Sequence, residues 1–199
     1  MPLPNRGIAI FDFDDTLIQG DSLPRFLDEV AGVGRTRLAM VGAVAGALTA
    51  HGLGRPVDVD FPGSVKALLL RATLAGIPES RAYDAARRLK SRLHWLAPQL
   101  EALHRHAADG HRIVVASGAL GVYLPILLEG LPVHDILATD VETREGRLTG
   151  RLASGNCVRA QKAQRVRPLL AAVNGPSWGY GNRPSDLPML ALVDHPTIV

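Results

Sequence analysis

Near its start the chain reads Gly7-Ile-Ala-Ile-Phe-Asp-Phe, a short and almost unbroken apolar run. Runs of this kind form strands that are buried on both faces. A second one, Ile113-Val-Val-Ala, follows the turn signal Asp109-Gly110, which closes a helical pattern over 98–108. Residues 135–141, 177–180 and 197–199 predict further strands, and residues 120–128, 158–172 and 184–192 predict helices between them. Strands alternating with helices predict an α/β fold with a doubly wound, mostly parallel sheet covered on both sides. Residues 142–152 alternate polar and apolar around Glu145-Gly146 and predict a small hairpin. One stretch breaks the alternation. Residues 22–94 show helical patterns and no strand, punctuated by Gly32-Val-Gly34, Gly52-Leu-Gly54-Arg-Pro56, Phe61-Pro-Gly63 and Gly76-Ile-Pro78. A helical block between the first two strands predicts an inserted α-helical cap. The expected division is a core of residues 1–17 and 95–199 and a cap of residues 18–94, placed to close over the C-terminal strand ends.

Composition excludes several classes. With 199 residues, 47% of them hydrophobic, the chain has material for one buried core and is not disordered. The lone Cys157 excludes a disulfide framework and a cysteine-built zinc site. A net charge of +3, with basic residues scattered rather than blocked, argues against a nucleic-acid partner. Met1-Pro-Leu-Pro-Asn-Arg-Gly carries no secretory pattern, and the longest apolar stretch, residues 38–50, falls short of the ~20 residues of a membrane-spanning helix. A soluble, cytoplasmic protein is expected.

Four short motifs carry chemistry, and each also has an ordinary structural reading. Asp12-Phe-Asp14-Asp15-Thr16 follows the first strand, so Asp12 and Asp14 project to one side and Phe11 and Phe13 to the other. Two carboxylates side by side repel each other unless a cation lies between them, although a strand-end turn before a helix cap would look similar. Ser117-Gly118 follows the second strand and suits a phosphate oxygen, or a plain turn. Lys162, one of three lysines, opens a helix after the Gly155-Asn156 loop and could neutralise a phosphate or simply face solvent. Asn182 and Asp186, in Gly179-Tyr-Gly-Asn-Arg-Pro-Ser-Asp186, offer hard oxygen ligands of the kind Mg²⁺ requires, or cap the next helix. His104, His106 and His111 lack the spacing of paired helical ligands and read as a solvated helix face, while Trp178 and Tyr180 read as sheet packing.

The joint order of strand–DxDxT, helical insert, strand–SG, Lys and strand–GN-x-x-SD resembles the haloacid-dehalogenase superfamily of phosphohydrolases. Within it, the helical cap after the first strand is like that of the phosphoserine phosphatases. The resemblance covers nearly the whole chain and extends to Gly146-Arg-Leu-Thr-Gly150 and Asp186-Leu-Pro-Met-Leu. It implies that Asp12 is a nucleophile forming an aspartyl-phosphate, and that Asp14 is the acid and then the base. It further implies that Ser117, Gly118 and Lys162 grip the phosphoryl group, and that Asp12, Asp14, Asn182 and Asp186 serve Mg²⁺.

Two departures from the pattern stand out. Asn182 replaces the usual Asp, removing one charge from the metal site, and the chain stops at Val199, where relatives continue, so either the sheet ends early or the sequence is a trimmed piece. Phosphoserine phosphatases place Glu where this chain has Asp21, and a loose alignment puts Lys66 where they carry a carboxylate-reading Arg. The expected partner is a small phosphate ester such as phosphoserine. A catalytically weakened phospho-ligand binder, motivated by Asn182, and transfer to an alcohol are rival readings. The stretch 38–50, flanked by Arg35, Arg37, His51 and Arg55, reads as a buried cap helix, or as an interfacial helix admitting a lipid phosphate, as in relatives acting on phosphatidylglycerophosphate.

Overall fold

The computed structural model describes residues 6–53, 60–182 and 184–199. The readings made on Met1 to Asn5, on the Gly54-Arg55-Pro56 breaker and on the Arg55 flank lie outside the described residues. Strand β1 (Ile8–Phe11) leads into helices α1 (Ser22–Ala31), α2 (Val33–Gly52), α3 (Phe61–Leu74), α4 (Glu79–Lys90) and α5 (Ala97–Ala108). Then come β2 (Arg112–Leu120), α6 (Leu124–Leu128), β3 (Asp135–Thr139), and the hairpin β4 (Val141–Arg144) with β5 (Arg147–Leu152). Helix α7 (Arg159–Ala171), β6 (Ser177–Gly181), a 3-10 turn (Pro184–Asp186), α8 (Leu187–Leu190) and β7 (His195–Ile198) complete the described chain.

The main sheet has the order β3-β2-β1-β6-β7, with each of these neighbouring pairs parallel. Strand β1 is central because it is apolar on both faces. Ile8 and Ile10 pack with Val114, Val166 and Met189, while Ala9 and Phe11 join Ile113, Val115, Leu103 and Phe26 on the other side. Each large side chain buried this way contributes about 2 kcal/mol. The chain grows from β1 through β2 to β3, then crosses to lay β6 on the opposite flank of β1. Such a reversal opens a crevice at the C-terminal strand ends. Phe11 is level with Val115 on one side and Tyr180 on the other, so Asp12, Ala116 and Gly181 follow side by side.

The segment between β1 and β2 contains helices and no named strand among its described residues. Asp21 caps α1, its carboxylate accepting from Leu23 N–H at 3.0 Å, and Phe26, Leu27 and Val30 form the buried face of that helix. Phe61-Pro-Gly63, expected to break a helix, instead starts α3. Asp60 accepts from Gly63 N–H at 3.0 Å, and Pro62 occupies the first turn, where its missing N–H costs nothing. The reading of residues 38–50 as a buried helix is corrected. Only small residues of α2, such as Ala43 and Ala47, are buried, while Leu38, Val41 and Leu48 are 74%, 68% and 59% exposed. Small residues allow close approach to α3 and leave the larger ones outside. No helix among the described residues is long and apolar enough to cross a membrane.

The β4–β5 hairpin bonds to the turn between α3 and α4. Gly76 N–H donates to Leu148 O at 2.8 Å, Leu148 N–H to Ile77 O at 2.8 Å, and Glu79 N–H to Gly146 O at 3.0 Å. Gly150 sits where a Cβ would lie 2.6 Å from the Leu70 carbonyl oxygen, at a φ of +72°. Gly150→Ala is therefore expected to cost about 1–3 kcal/mol from the backbone alone, read as a lowered midpoint in urea unfolding.

Two local expectations change. Strand β2 continues through Ser117-Gly118 to Leu120, and α6 begins only at Leu124. Gly121 N–H is held by Thr139 O at 2.9 Å, and Pro125 stands in the first turn of α6. Ser117-Gly118 therefore has no helix N-terminus directly behind it. His106 is buried rather than solvated, with ring nitrogens 2.9 Å from both His111 Nδ1 and the Tyr180 hydroxyl. Burial, with His111 adding to it, pushes its pKa down to about 4.

Candidate active site

After Phe13 the chain turns tightly, as the N–H groups of Thr16, Leu17 and Ile18 all point to the Phe13 carbonyl at 3.3, 2.9 and 3.2 Å. Asp15 takes the left-handed conformation this requires, at φ 54°, which Asp tolerates better than most residues. Asp12 N–H bonds to Tyr180 O at 2.9 Å, tying the end of β1 to β6. Phe11 stacks on Tyr180 at 4.4 Å and Phe13 meets Trp95 edge-on at 6.1 Å, so both rings anchor the strand from below while Asp12 and Asp14 face the crevice.

The Asp14 carboxylate accepts from Ser22 N–H at 2.7 Å, at the N-terminus of α1, where the helix dipole favours an anion. The Ser22 hydroxyl is 2.9 Å from that of Tyr123, which is fully buried, so Ser22 is held from behind. Burial nevertheless dominates at Asp14. Its pKa is pushed up to about 7, with Asp21 and Asp12 adding like-charge repulsion and the Ser22 bonds opposing the rise.

Lys162, 1% exposed, lies between two buried carboxylates, with Nζ donating to Asp12 Oδ1 at 2.7 Å and to Asp186 Oδ1 at 2.6 Å. The carboxylates stabilise its ammonium against the cost of burial, and its pKa is raised. Burial pushes Asp12 upward while Lys162 pulls it down. Asp12 Oδ2 receives a long contact from the Thr16 hydroxyl, at 3.3 Å, and the Phe13 backbone also hydrogen-bonds to the carboxylate. Asp186 Oδ2 accepts from Asn182 N–H at 3.3 Å. The Asn182 side-chain oxygen is buried and accepts no hydrogen bond among the described residues.

Asp12, Asp14, Asp21, Lys66, Ser117, Gly118, Lys162 and Asp186 line one cavity of about 560 Å³. Asn182 joins the cluster through its backbone bond to Asp186, and its side chain does not line the cavity. The Ser117 hydroxyl accepts from Ala119 N–H at 3.1 Å, which leaves its proton to donate. Lys66 reaches from α3 to Gly118 O at 2.6 Å and Asn156 Oδ1 at 2.7 Å. Its contacts therefore differ from those expected of a carboxylate reader: it clips the helical insertion to the strand ends, and burial lowers its pKa to about 8. Asn156, which also accepts from Thr139 Oγ1 at 3.0 Å, Arg159 and Ser185 line the cavity as well. Asn156, in the loop before Lys162, and Ser185, in the GN-x-x-SD motif, had sequence signals, and Arg159 had none. Arg159 pairs with Asp60, a contact across the chain that no local pattern announces.

A parallel sheet with its switch point at β1, a helical insertion after that strand, and a buried Asp–Lys–Asp cluster at the crevice define a hydrolase of the haloacid-dehalogenase type. The family model described as haloacid dehalogenase-like hydrolase matches residues 9–191, and the chain belongs to that family. It is distantly related to phosphoserine phosphatases: 31% identical over 195 residues to one from Streptomyces coelicolor and 25% over 189 residues to SerB2 of Mycobacterium tuberculosis. These alignments cover 92% and 93% of this chain but only 41% and 42% of those two proteins, so it spans about two fifths of their length. Protein CicA of Caulobacter vibrioides is 27% identical over 195 residues, covering 94% of this chain and 83% of its own. Among solved structures, a Bordetella pertussis protein of unknown function shares the fold at a TM-score of 0.77 and 21% identity, covering 97% of this chain and 89% of that one. A phospho-aspartyl intermediate analogue of phosphoserine phosphatase matches at 0.66 and 16% identity, covering 97% and 86%.

Proposed function

We propose that the chain is a Mg²⁺-dependent phosphomonoester hydrolase working through an aspartyl-phosphate on Asp12, with a small phosphorylated metabolite as substrate. The observation that carries this reading is Lys162 holding Asp12 Oδ1 and Asp186 Oδ1 in one buried cluster at the mouth of the crevice. That arrangement fixes one Asp12 oxygen on Lys162 while the carboxylate lines the cavity, as a positioned nucleophile needs. The related phosphoserine phosphatases make phosphoserine the first metabolite to assay.

The residues suit a hard divalent cation. Three or more His, Cys, Asp or Glu side chains do not form a metal cluster among the described residues. Asp12, the Asp14 backbone carbonyl and the Asn182 side-chain oxygen, which has no hydrogen-bond partner among the described residues, would supply oxygen donors of the kind Mg²⁺ takes. Asp186, with one oxygen on Lys162 and the other on the Asn182 backbone, acts in this reading as a positioning residue. When bound, Mg²⁺ would offset the charge of the carboxylates and of a dianionic phosphate.

In the first step an Asp12 oxygen attacks phosphorus as the ester P–O bond breaks, and Asp14 gives its proton to the departing oxygen. Ser117 and Lys162 hold the equatorial phosphoryl oxygens. In the second, Asp14 takes a proton from water as the water oxygen attacks phosphorus, releasing inorganic phosphate and restoring Asp12. Hydrolysis of p-nitrophenyl phosphate with Mg²⁺, stopped by a chelator and restored by added Mg²⁺, tests the reading. Tight phosphate binding without turnover would instead make the protein a phospho-ligand binder.

Asp14, with its pKa near 7, must be protonated in the first step. Raising the pH through that value removes the proton, so kcat/KM is expected to fall about tenfold per pH unit above it. Asp14→Asn should lower the rate and erase that limb of the profile. Asn182→Asp would put a negative charge on one of the oxygen donors, and the Mg²⁺ concentration for half-maximal activity is expected to drop several-fold in a metal titration.

A further inference from the structure

The cavity has two unlike walls. At the strand ends it is polar, with Asp12, Asp14, Ser117 and Lys162. The facing wall comes from the helical insertion and presents Leu23 of α1, Met40 and Val44 of α2, and Phe61, Val65 and Leu69 of α3. Among the described lining residues, Lys66 of α3 bonds to Gly118 O and Asn156 Oδ1, and Arg159 of α7 pairs with Asp60. Asp21 turns its carboxylate to the Leu23 N–H. A leaving group bearing an ammonium and a carboxylate would have to shed water against this apolar wall, at a cost repaid only by well-placed partners. A hydrocarbon chain would gain from the same contact.

The apolar wall also continues out of the cavity. Val44 lines the cavity and is 36% exposed, while Val41 and Leu48, three residues before and four after it on α2, are 68% and 59% exposed. That spacing puts all three on neighbouring positions of one helix face. A surface leading from a phosphate-gripping floor, past an apolar wall, to an exposed apolar stripe matches one ligand shape, a phosphate head on an alkyl or acyl tail.

We infer that the substrate is an amphiphilic phosphomonoester, with its phosphate at Asp12 and its hydrocarbon chain against Met40, Val44 and Leu69 and onward along α2. The inference rests on the hydrolase reading above. The test is a chain-length series of ethyl, butyl, hexyl and octyl phosphate beside O-phosphoserine, with binding measured by titration calorimetry in parallel. The expected result is a rise in kcat/KM of about fourfold per added methylene over the part of the chain that contacts the wall. O-phosphoserine should fall below butyl phosphate, and Val44→Asp should flatten the series. Phosphatidic acid in phosphatidylcholine vesicles, run against monomeric octyl phosphate, separates a membrane source from a free amphiphile, and turnover of either supports the inference. A flat series, or O-phosphoserine as the best substrate, would overturn it even with p-nitrophenyl phosphate turning over. So would a stable dimer burying α2 that octyl phosphate does not disturb. Octyl phosphate binding tighter than ethyl phosphate, with no hydrolysis of any ester, would uphold the apolar wall and remove the hydrolase reading alone.

Discussion

Asp12→Asn is expected to stop turnover, lowering kcat on the order of 10⁴-fold or more while leaving the folded protein in place. The amide oxygen of Asn can still accept from Lys162 Nζ, which now reaches Asp12 Oδ1 at 2.7 Å, so the cluster keeps its central hydrogen bond. The second oxygen becomes an NH₂ group, which cannot attack phosphorus. Phosphate-ester hydrolysis and thermal unfolding, measured on the same sample, separate the two effects. Acid-quenched wild-type protein should carry labelled phosphate at Asp12, and the variant should carry none. Residual activity above a few per cent would mean that another group is the nucleophile.

Lys162→Met should damage both fold and activity. The ammonium is the cation that the described ion pairs place between Asp12 and Asp186, and its side chain and both carboxylates are buried. Removing it leaves two carboxylates without their compensating charge in a low-dielectric site. Breaking a buried pair in this way costs about 3–5 kcal/mol, against a total stability on the order of 5–15 kcal/mol for a typical domain. For a chain of this size the melting temperature should fall by roughly 6–20 °C. Adding Asp186→Asn to Lys162→Met should recover part of the loss, because one of the uncompensated charges is then gone. Recovery in the double variant, with activity still absent, would separate the structural burden of the cluster from its grip on phosphate. An unchanged melting temperature in Lys162→Met would show that the carboxylates shed their charge without strain.

Much of the core could be read from the chain, for a physical reason. A strand buried on both faces must be apolar at nearly every position, so Gly7 to Phe11 and Ile113 to Ala116 announce themselves locally, and the acidic, Ser-Gly and Asn motifs stand at or near the strand exits. The helical insertion was less legible. Its boundaries depend on caps: Phe61-Pro-Gly63 reads as a breaker until Asp60 is seen to cap α3. Residues 38–50 look as if they belong in a core, because hydropathy records that they are apolar and not which side faces a neighbour. His106 reads as solvated from the sequence for the converse reason, since its burial against Tyr180, Trp178 and His111 depends on segments far along the chain.

From the order of residues alone follow the alternation of strands and helices, the insertion after the first strand, and the acidic, hydroxyl and amide motifs near the strand exits. These are local properties, set by periodicity, turn chemistry and side-chain size. The fold alone settles that Lys162 joins Asp12 to Asp186, that Lys66 is spent on Gly118 and Asn156, and that Val41 and Leu48 stay outside. Those outcomes depend on which distant segments meet across the β2–β1–β6 crevice and on how much charge and apolar surface each contact removes from water. Neither quantity is defined until the whole chain has closed around them.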